Sequence, residues 1–199
     1  MNTVQNEVTQ KISAKRAGIG VKGVAIIAIL LAIGIILRLI TPSLFGITPN
    51  WTIAMYCIAI GLIRPTLGQA AGIGLVAGAL NLPTSKSMFP YGSLVSEPVG
   101  AFICALFVHM QTEFMIGKFS LKPGISAGLA TLASGGTFVT LVKLVLEVPT
   151  HVYLYAMWPV VLTVTVVNAV VTQLLYPLAD RIVRPQYANV AEDQETQPR

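Results

Sequence analysis

The chain has 199 residues, of which 54% are hydrophobic and only 11% charged, and no central stretch is polar enough to form a soluble domain. It reads as one integral membrane domain rather than a water-soluble enzyme or binding module. The net charge of +5 comes from scattered basic residues with no soluble surface to carry them, which points to orientation signals and away from a nucleic-acid partner.

Residues 1–21, with Lys11, Lys15 and Arg16, are a polar tail. The apolar run 22–40 that follows ends in Thr41-Pro42-Ser43 instead of a small-x-small cleavage site, so it predicts a retained first helix and not a signal peptide. Further apolar runs lie at 51–63, 66–80, 95–116, 124–146 and 158–178, and residues 186–199 form a polar, non-periodic C-terminal tail. The expected fold is an all-α bundle of six transmembrane helices over residues 22–185. The second and third runs are shorter than the roughly 20 residues a full crossing needs. They either begin within the preceding loop or form a re-entrant hairpin with Arg64-Pro65 at its tip.

Both termini fall on one side in either case. With the N-terminus inside, Lys11, Lys15, Arg16, Lys22, Arg64, Lys118, Lys122, Arg181, Arg184 and Arg199 are all internal, and Lys86 alone lies in an outer loop. The positive-inside rule therefore predicts N-in, C-in, a multi-pass protein of a bacterial or archaeal cell membrane. Arg38 and Lys143 remain within apolar runs, close enough to the outer end to snorkel.

Between the third and fourth runs, residues 81–98 read Asn-Leu-Pro-Thr-Ser-Lys-Ser-Met-Phe-Pro-Tyr-Gly-Ser-Leu-Val-Ser-Glu-Pro. Such a density of Pro, Gly and Ser predicts a loop, and its backbone cannot face lipid unpaired. Glu97 enters the membrane at its end, and a carboxylate at that depth needs a partner or a ligand. Polar and aromatic residues gather toward the same side: Arg38, Trp51, Asn81, Lys86, Tyr91, Lys143, Glu147, His151, Tyr153, Tyr155 and Trp158. An interfacial aromatic belt is the favoured reading of Tyr153 and Tyr155 and the alternative for Trp51 and Trp158, which begin helices next to loops and are placed to wall a site. Glu97 and Lys143 form either a structural ion pair or a pair facing the two charged ends of a solute, while Lys143 and Glu147 are spaced for an internal pair. Asn168, mid-way along the last run, either bonds across helices or forms the pocket floor.

Small residues recur at four-residue spacing at Ala28/Ala32, Gly68/Gly72, Gly74/Gly78 and Gly124/Gly128, which permits close helix approach. For the glycine pairs internal packing is the simpler reading; the alanine pair suits packing and the docking of another membrane subunit equally. Cys57 and Cys104 lack metal spacing and read as buried free thiols. His109 and His151 are unlinked, so no metal or other cofactor is expected. No GxSG, HExxH or Walker motif is present, and there is no buried series of carboxylates of the kind proton pumps use. Transport driven by a partner subunit is the favoured reading. An autonomous ion-coupled secondary transporter of a small solute is the alternative, and a membrane enzyme is disfavoured.

The stretch Pro42-Ser-Leu-Phe-Gly-Ile-Thr-Pro-Asn50, the segment Ser96-Glu-Pro-Val-Gly-Ala-Phe102, and the end Trp158-Pro159, Asn168, Tyr176-Pro177, Arg181 and Arg184 together resemble the tryptophan-associated transporter family. That family resembles the substrate-binding S components of energy-coupling factor (ECF) transporters, and the similarity extends over most of residues 22–185. The resemblance implies a six-helix subunit that captures a vitamin- or amino-acid-like solute, such as tryptophan or a precursor, at its outer face. Its implied partners are a transmembrane coupling protein and two cytoplasmic ATPases, with surrounding lipid and the small-molecule substrate. It also implies docking through Ala28 and Ala32, and a binding pocket that includes Asn50, Trp51, Asn81, Lys86, Tyr91, Glu97, Lys143, His151, Trp158 and Asn168.

Overall fold

A computed structural model describes residues 19–41, 50–111, 114–116 and 119–195. The tail residues Lys11, Lys15 and Arg16, the family-like stretch 42–49, Lys118 and Arg199 lie outside them. Six long helices are present among the described residues: α1 (Val21–Ile40), α2 (Trp51–Ile63), α3 (Leu67–Asn81), α4 (Ser93–His109), α5 (Lys122–Val145) and α6 (Trp158–Glu195). A short helical turn, Thr150–Val152, and a π-helical stretch, Tyr153–Met157, lead into α6.

Among the described residues four helices are long and apolar enough to cross a membrane: α1, α4 with its preceding turn Pro90–Gly92, α5, and α6 with its lead-in. The two short ones are the second and third, whose apolar runs fall below a full crossing in the sequence as well. The 13 residues of α2 cover only about 20 Å at helical rise, against roughly 30 Å of hydrocarbon. Helices α2 and α3 instead form an antiparallel hairpin, since Thr52 at the start of α2 hydrogen-bonds Asn81 at the end of α3 (2.9 Å). At its tip Arg64 adopts a left-handed conformation (φ 51°) and Thr66 opens α3 with a capping box to Gln69.

Three boundaries differ from the sequence expectation. The predicted loop 81–98 is shorter, because α4 begins at Ser93 and Pro98 is accommodated in its second turn at the loss of one backbone bond. The fourth helix ends at His109 instead of running to 116. Gln111-Thr112-Glu113 interrupts the apolar run, and Met115–Ile116 pairs with Phe119–Ser120 in a minimal antiparallel ladder. The last helix, by contrast, continues to Glu195 through the predicted tail, where Ala188, Ala191, Glu192 and Gln194 are good helix formers.

Helix α2 is the axis of the bundle. Every residue from Thr52 to Ile60 is buried, and α2 packs against all five other helices. Helix α1 buries only one stripe, Gly23, Ile27, Leu31 and Gly34, and leaves Val24, Ile29, Ile36 and Leu39 exposed; α6 likewise exposes Leu162, Val166, Val170 and Leu174. Exposed apolar bands of this extent are lipid-facing surface. Cys57 and Cys104 are buried free thiols, as expected.

The glycine pairs divide into two kinds. A Cβ on Gly74 would stand 2.5 Å from the Glu97 carbonyl oxygen, and one on Gly78 2.5 Å from that of Ser93, so α3 and α4 touch backbone to backbone. Gly124 lies against α6, where a Cβ would stand 2.9 Å from the Gln173 side-chain oxygen and 3.1 Å from the Ala169 carbonyl oxygen. Gly68 and Gly72 have no atom of a described residue within 4 Å of such a Cβ, which corrects the internal-packing reading for that pair. They occupy the open side of α3, facing away from α4.

Candidate functional site

The alternating helix directions bring the end of α1, the start of α2, the end of α3, the start of α4, the second half of α5 and the start of α6 to one end of the bundle. A cavity of about 510 Å³ opens there. Loop residues Ser85, Lys86 and Ser87 border it, α5 contributes Thr131, Ser134, Gly135, Phe138 and Val139, and Met157, Val160, Val161 and Val164 form the opposite wall. Gly135 lets α5 and α6 approach closely beside the cavity: a Cβ there would stand 2.9 Å from a Val161 methyl. The walls are mainly apolar, and polar groups are confined to the rim and floor, the usual division of labour in a small-molecule site.

Glu97 organises the floor. It is 2% exposed, and its Oε1 accepts hydrogen bonds from the side-chain amides of Asn50 (2.7 Å) and Asn81 (3.1 Å), while Oε2 accepts from the Ser134 hydroxyl (3.3 Å). All three donors are neutral. The nearest cation, Arg38, donates to Asn50 Oδ1 (3.2 Å) and so reaches the carboxylate only through that amide. An acidic oxygen pair at the base of a cavity, held by neutral donors with a guanidinium close by, can take an ammonium group and leave Arg38 for a carboxylate. The apolar wall beyond suits an aromatic or aliphatic side chain.

Of the ten residues selected from the sequence, Asn50, Lys86 and Glu97 line the cavity directly. Asn81 stands behind Glu97, and Asn168 lies beneath the floor, donating to the Asn50 carbonyl (3.3 Å) and the Thr131 hydroxyl (3.1 Å). The other five are not among the lining residues. Trp51 donates its indole N–H to Thr41 (3.0 Å) and ties α2 to the end of α1. Tyr91 is exposed and edge-packed on Phe89, His151 is exposed, and Trp158 packs over Gly136 and edge-on to Tyr153.

Lys143 does not meet Glu97. Its ammonium sits 4.7 Å from the centre of the Tyr153 ring and 3.4 Å from the Thr150 hydroxyl. The Lys143–Glu147 spacing fails too, because α5 ends at Val145 and Glu147 takes a left-handed backbone (φ 51°), which removes the one-turn register. Lys143→Met is accordingly expected to change solute affinity less than about threefold, since an exposed cation–π contact is worth only about 0.5–1 kcal/mol. A titration of the purified variant checks this, and loss of binding would return Lys143 to the site.

Arg38 joins Lys86 as a cation of the cavity lining, and Ser96, Ser134, Phe138 and the valines of α6 are further lining residues. Arg38 was visible in the sequence as a charge inside an apolar run. Ser134 and the valines carried no signal, because mid-helix Ser and Val are ordinary membrane residues.

A family model described as "Tryptophan transporter TrpP" matches residues 20–184. The chain is 31% identical over 171 residues to a probable tryptophan transport protein of Bacillus subtilis (strain 168), covering 82% of this chain and 93% of that one. It is 29% identical over 174 residues to a probable tryptophan transport protein of Clostridium perfringens (strain 13 / Type A), with the same coverage. A Clostridium acetobutylicum protein of the same description is 26% identical over 166 residues. No solved structure gives a significant match.

Proposed function

This chain belongs to the TrpP tryptophan transporter family, a multi-pass protein of the bacterial cell membrane, and from that premise we propose that its cavity captures tryptophan for import. The observation that supports this reading most directly is the floor itself: a buried carboxylate with only neutral donors, a guanidinium one amide away, and an apolar chamber above them. The ammonium of the amino acid binds at Glu97, its carboxylate turns toward Arg38 and Lys86, and the indole fills the space between Phe138 and the α6 valines.

The proposed orientation is N-in, C-in, which places the cavity at the outer face. Importing the solute against a gradient then needs an energy source, and we assign it to an ECF-type coupling protein with two ATPases. Ala28 and Ala32 support that assignment, for both are exposed on α1 beside its buried stripe, where a partner helix can approach closely.

Two measurements test the reading. Tryptophan should bind the purified protein in detergent, and vesicles holding the protein alone should show no uptake under a proton or sodium gradient until the coupling protein, the ATPases and ATP are supplied. Gradient-driven uptake by the protein alone would favour the secondary-transporter alternative. Replacing Ala28 and Ala32 by Leu should abolish ATP-dependent uptake and leave tryptophan affinity within about twofold, because the face is remote from the cavity; unimpaired uptake would remove the docking assignment.

A further inference from the structure

Asn50 stands immediately before α2, where an Asn side chain ordinarily caps the helix by accepting from a first-turn N–H. Here it makes no such bond. Its Oδ1 accepts from an Arg38 guanidinium N–H (3.2 Å), and its NH₂ donates to Glu97 Oε1 (2.7 Å). Arginine can only donate and a carboxylate can only accept, so the two neighbours fix the amide in this orientation. The residue forgoes a helix cap and commits both ends of its amide to two opposite charges.

Those charges line the same cavity, yet among the described residues no direct ion pair joins them. Opposite charges in a membrane-embedded pocket are weakly screened and attract strongly. Only the Asn50 side chain is seen to bridge them. Glu97 Oε1 already accepts from Asn50 and Asn81, and Oε2 accepts from Ser134, which leaves Oε2 with room for one further donor. A guanidinium and an ammonium would compete for that place.

We infer that Asn50 is a spacer that holds Arg38 off Glu97, so that the empty cavity presents a separated cation and anion matched to the two ends of an α-amino acid. It is in this sense a positioning residue, acting through Arg38 and Glu97, and the inference rests on the reading of the cavity as an amino-acid site. The consequence is selectivity for a zwitterion. A solute carrying both charges answers both groups, whereas an amine or an acid alone leaves one of them without a counter-charge in a chamber of low dielectric.

Asn50→Ala removes the spacer, and the guanidinium should then close on Glu97. Tryptophan, and tryptamine, which has the ammonium without the carboxylate, should both lose roughly 10-fold or more in affinity for the purified protein. Adding Arg38→Met frees Glu97 and should return tryptamine to within about threefold of its affinity for the parent. A residue that only braced the floor would not be rescued by this second substitution. Thermal denaturation without solute gives an independent reading: Arg38→Met should lower the melting temperature by roughly 2–4 °C more in Asn50→Ala than in the parent, because there it breaks a direct pair. Were the Arg38–Asn50 hydrogen bond merely structural, Arg38→Met would cost less once Asn50 is gone. That sign, or tryptamine affinity that stays low in the double variant, would overturn the inference. Asn50→Ser, whose hydroxyl can cap α2 but is too short to bridge, carries the same comparison if the alanine variant does not fold. Failure of the parent to bind either compound would overturn the amino-acid reading of the cavity, and the melting comparison then decides the role of Asn50 by itself.

Discussion

Glu97→Gln is expected to leave a folded, monodisperse protein that no longer retains tryptophan. The amide can preserve the local geometry: its oxygen still accepts from Asn50 and Asn81, and its NH₂ can donate to the Ser134 hydroxyl that previously donated to Oε2. What disappears is the charge that meets the ammonium. Removing one partner of a buried, hydrogen-bonded charge pair costs about 2–5 kcal/mol, so affinity should drop by a factor of roughly 30 to several thousand. Equilibrium binding with thermal denaturation on the same sample separates the two effects. A Gln variant that binds as tightly as the parent would show that Glu97 only braces the helices. Glu97→Leu should behave differently, because it strands two amides and a hydroxyl without an acceptor at about 1–3 kcal/mol each, and the folded yield should collapse.

The second large effect is expected far from any charge. Gly74→Leu should abolish folded protein, and Gly74→Ala should lower thermal stability markedly, because the added Cβ would stand 2.5 Å from the Glu97 carbonyl oxygen and 2.6 Å from Pro98 Cα. Both are backbone atoms and cannot rotate away. Overpacking typically costs about 1–3 kcal/mol, and here the α3–α4 seam must also open, which displaces the carboxylate of the floor. Gly72→Ala is the control. No atom of a described residue lies within 4 Å of a Cβ there, and replacing helical Gly by Ala gains up to about 1 kcal/mol, so its melting temperature should be unchanged or higher. Equal effects at positions 72 and 74 would refute the backbone-contact account of the seam.

These two positions mark different degrees of legibility. Glu97 was readable because a carboxylate entering an apolar run has so few explanations. The glycine spacing was readable as a packing device, but Gly68/Gly72 and Gly74/Gly78 look alike on paper, and only the second pair faces α4. Four-residue spacing identifies a helix face without identifying what stands opposite it. The expected Glu97–Lys143 pair failed for a related reason. Lys143 lies one turn beyond Val139, on the cavity-facing side of α5, but the π-helical lead-in to α6 places the Tyr153 ring beneath its ammonium. A partner that close by intercepts it before it reaches the floor.

The aromatic residues show the same limit. Trp51, Tyr91 and Trp158 sit beside loops, as a pocket wall would, yet each is engaged elsewhere, with Thr41, Phe89 and Tyr153 respectively. The wall is made instead from Phe138 and the unremarked valines of α6. A valine's location in a pocket is not encoded in its identity; it follows from the rotation and tilt of α6, which the glycine contacts of α5 set.

Composition and apolar run length alone commit this chain to a bilayer, to a helical bundle of about this count, and to an intramembrane carboxylate with work to do. They do so because hydrocarbon tolerates neither unpaired backbone nor idle charge. Which residues reach that carboxylate is a property of the packed bundle. Asn50, Asn81 and Ser134 are 47, 16 and 37 positions from Glu97 along the chain and meet it only when α2, α3 and α5 close around α4. Periodicity describes each helix by itself, whereas a site lies where several helices face one another, and that depends on backbone contacts no single run can report.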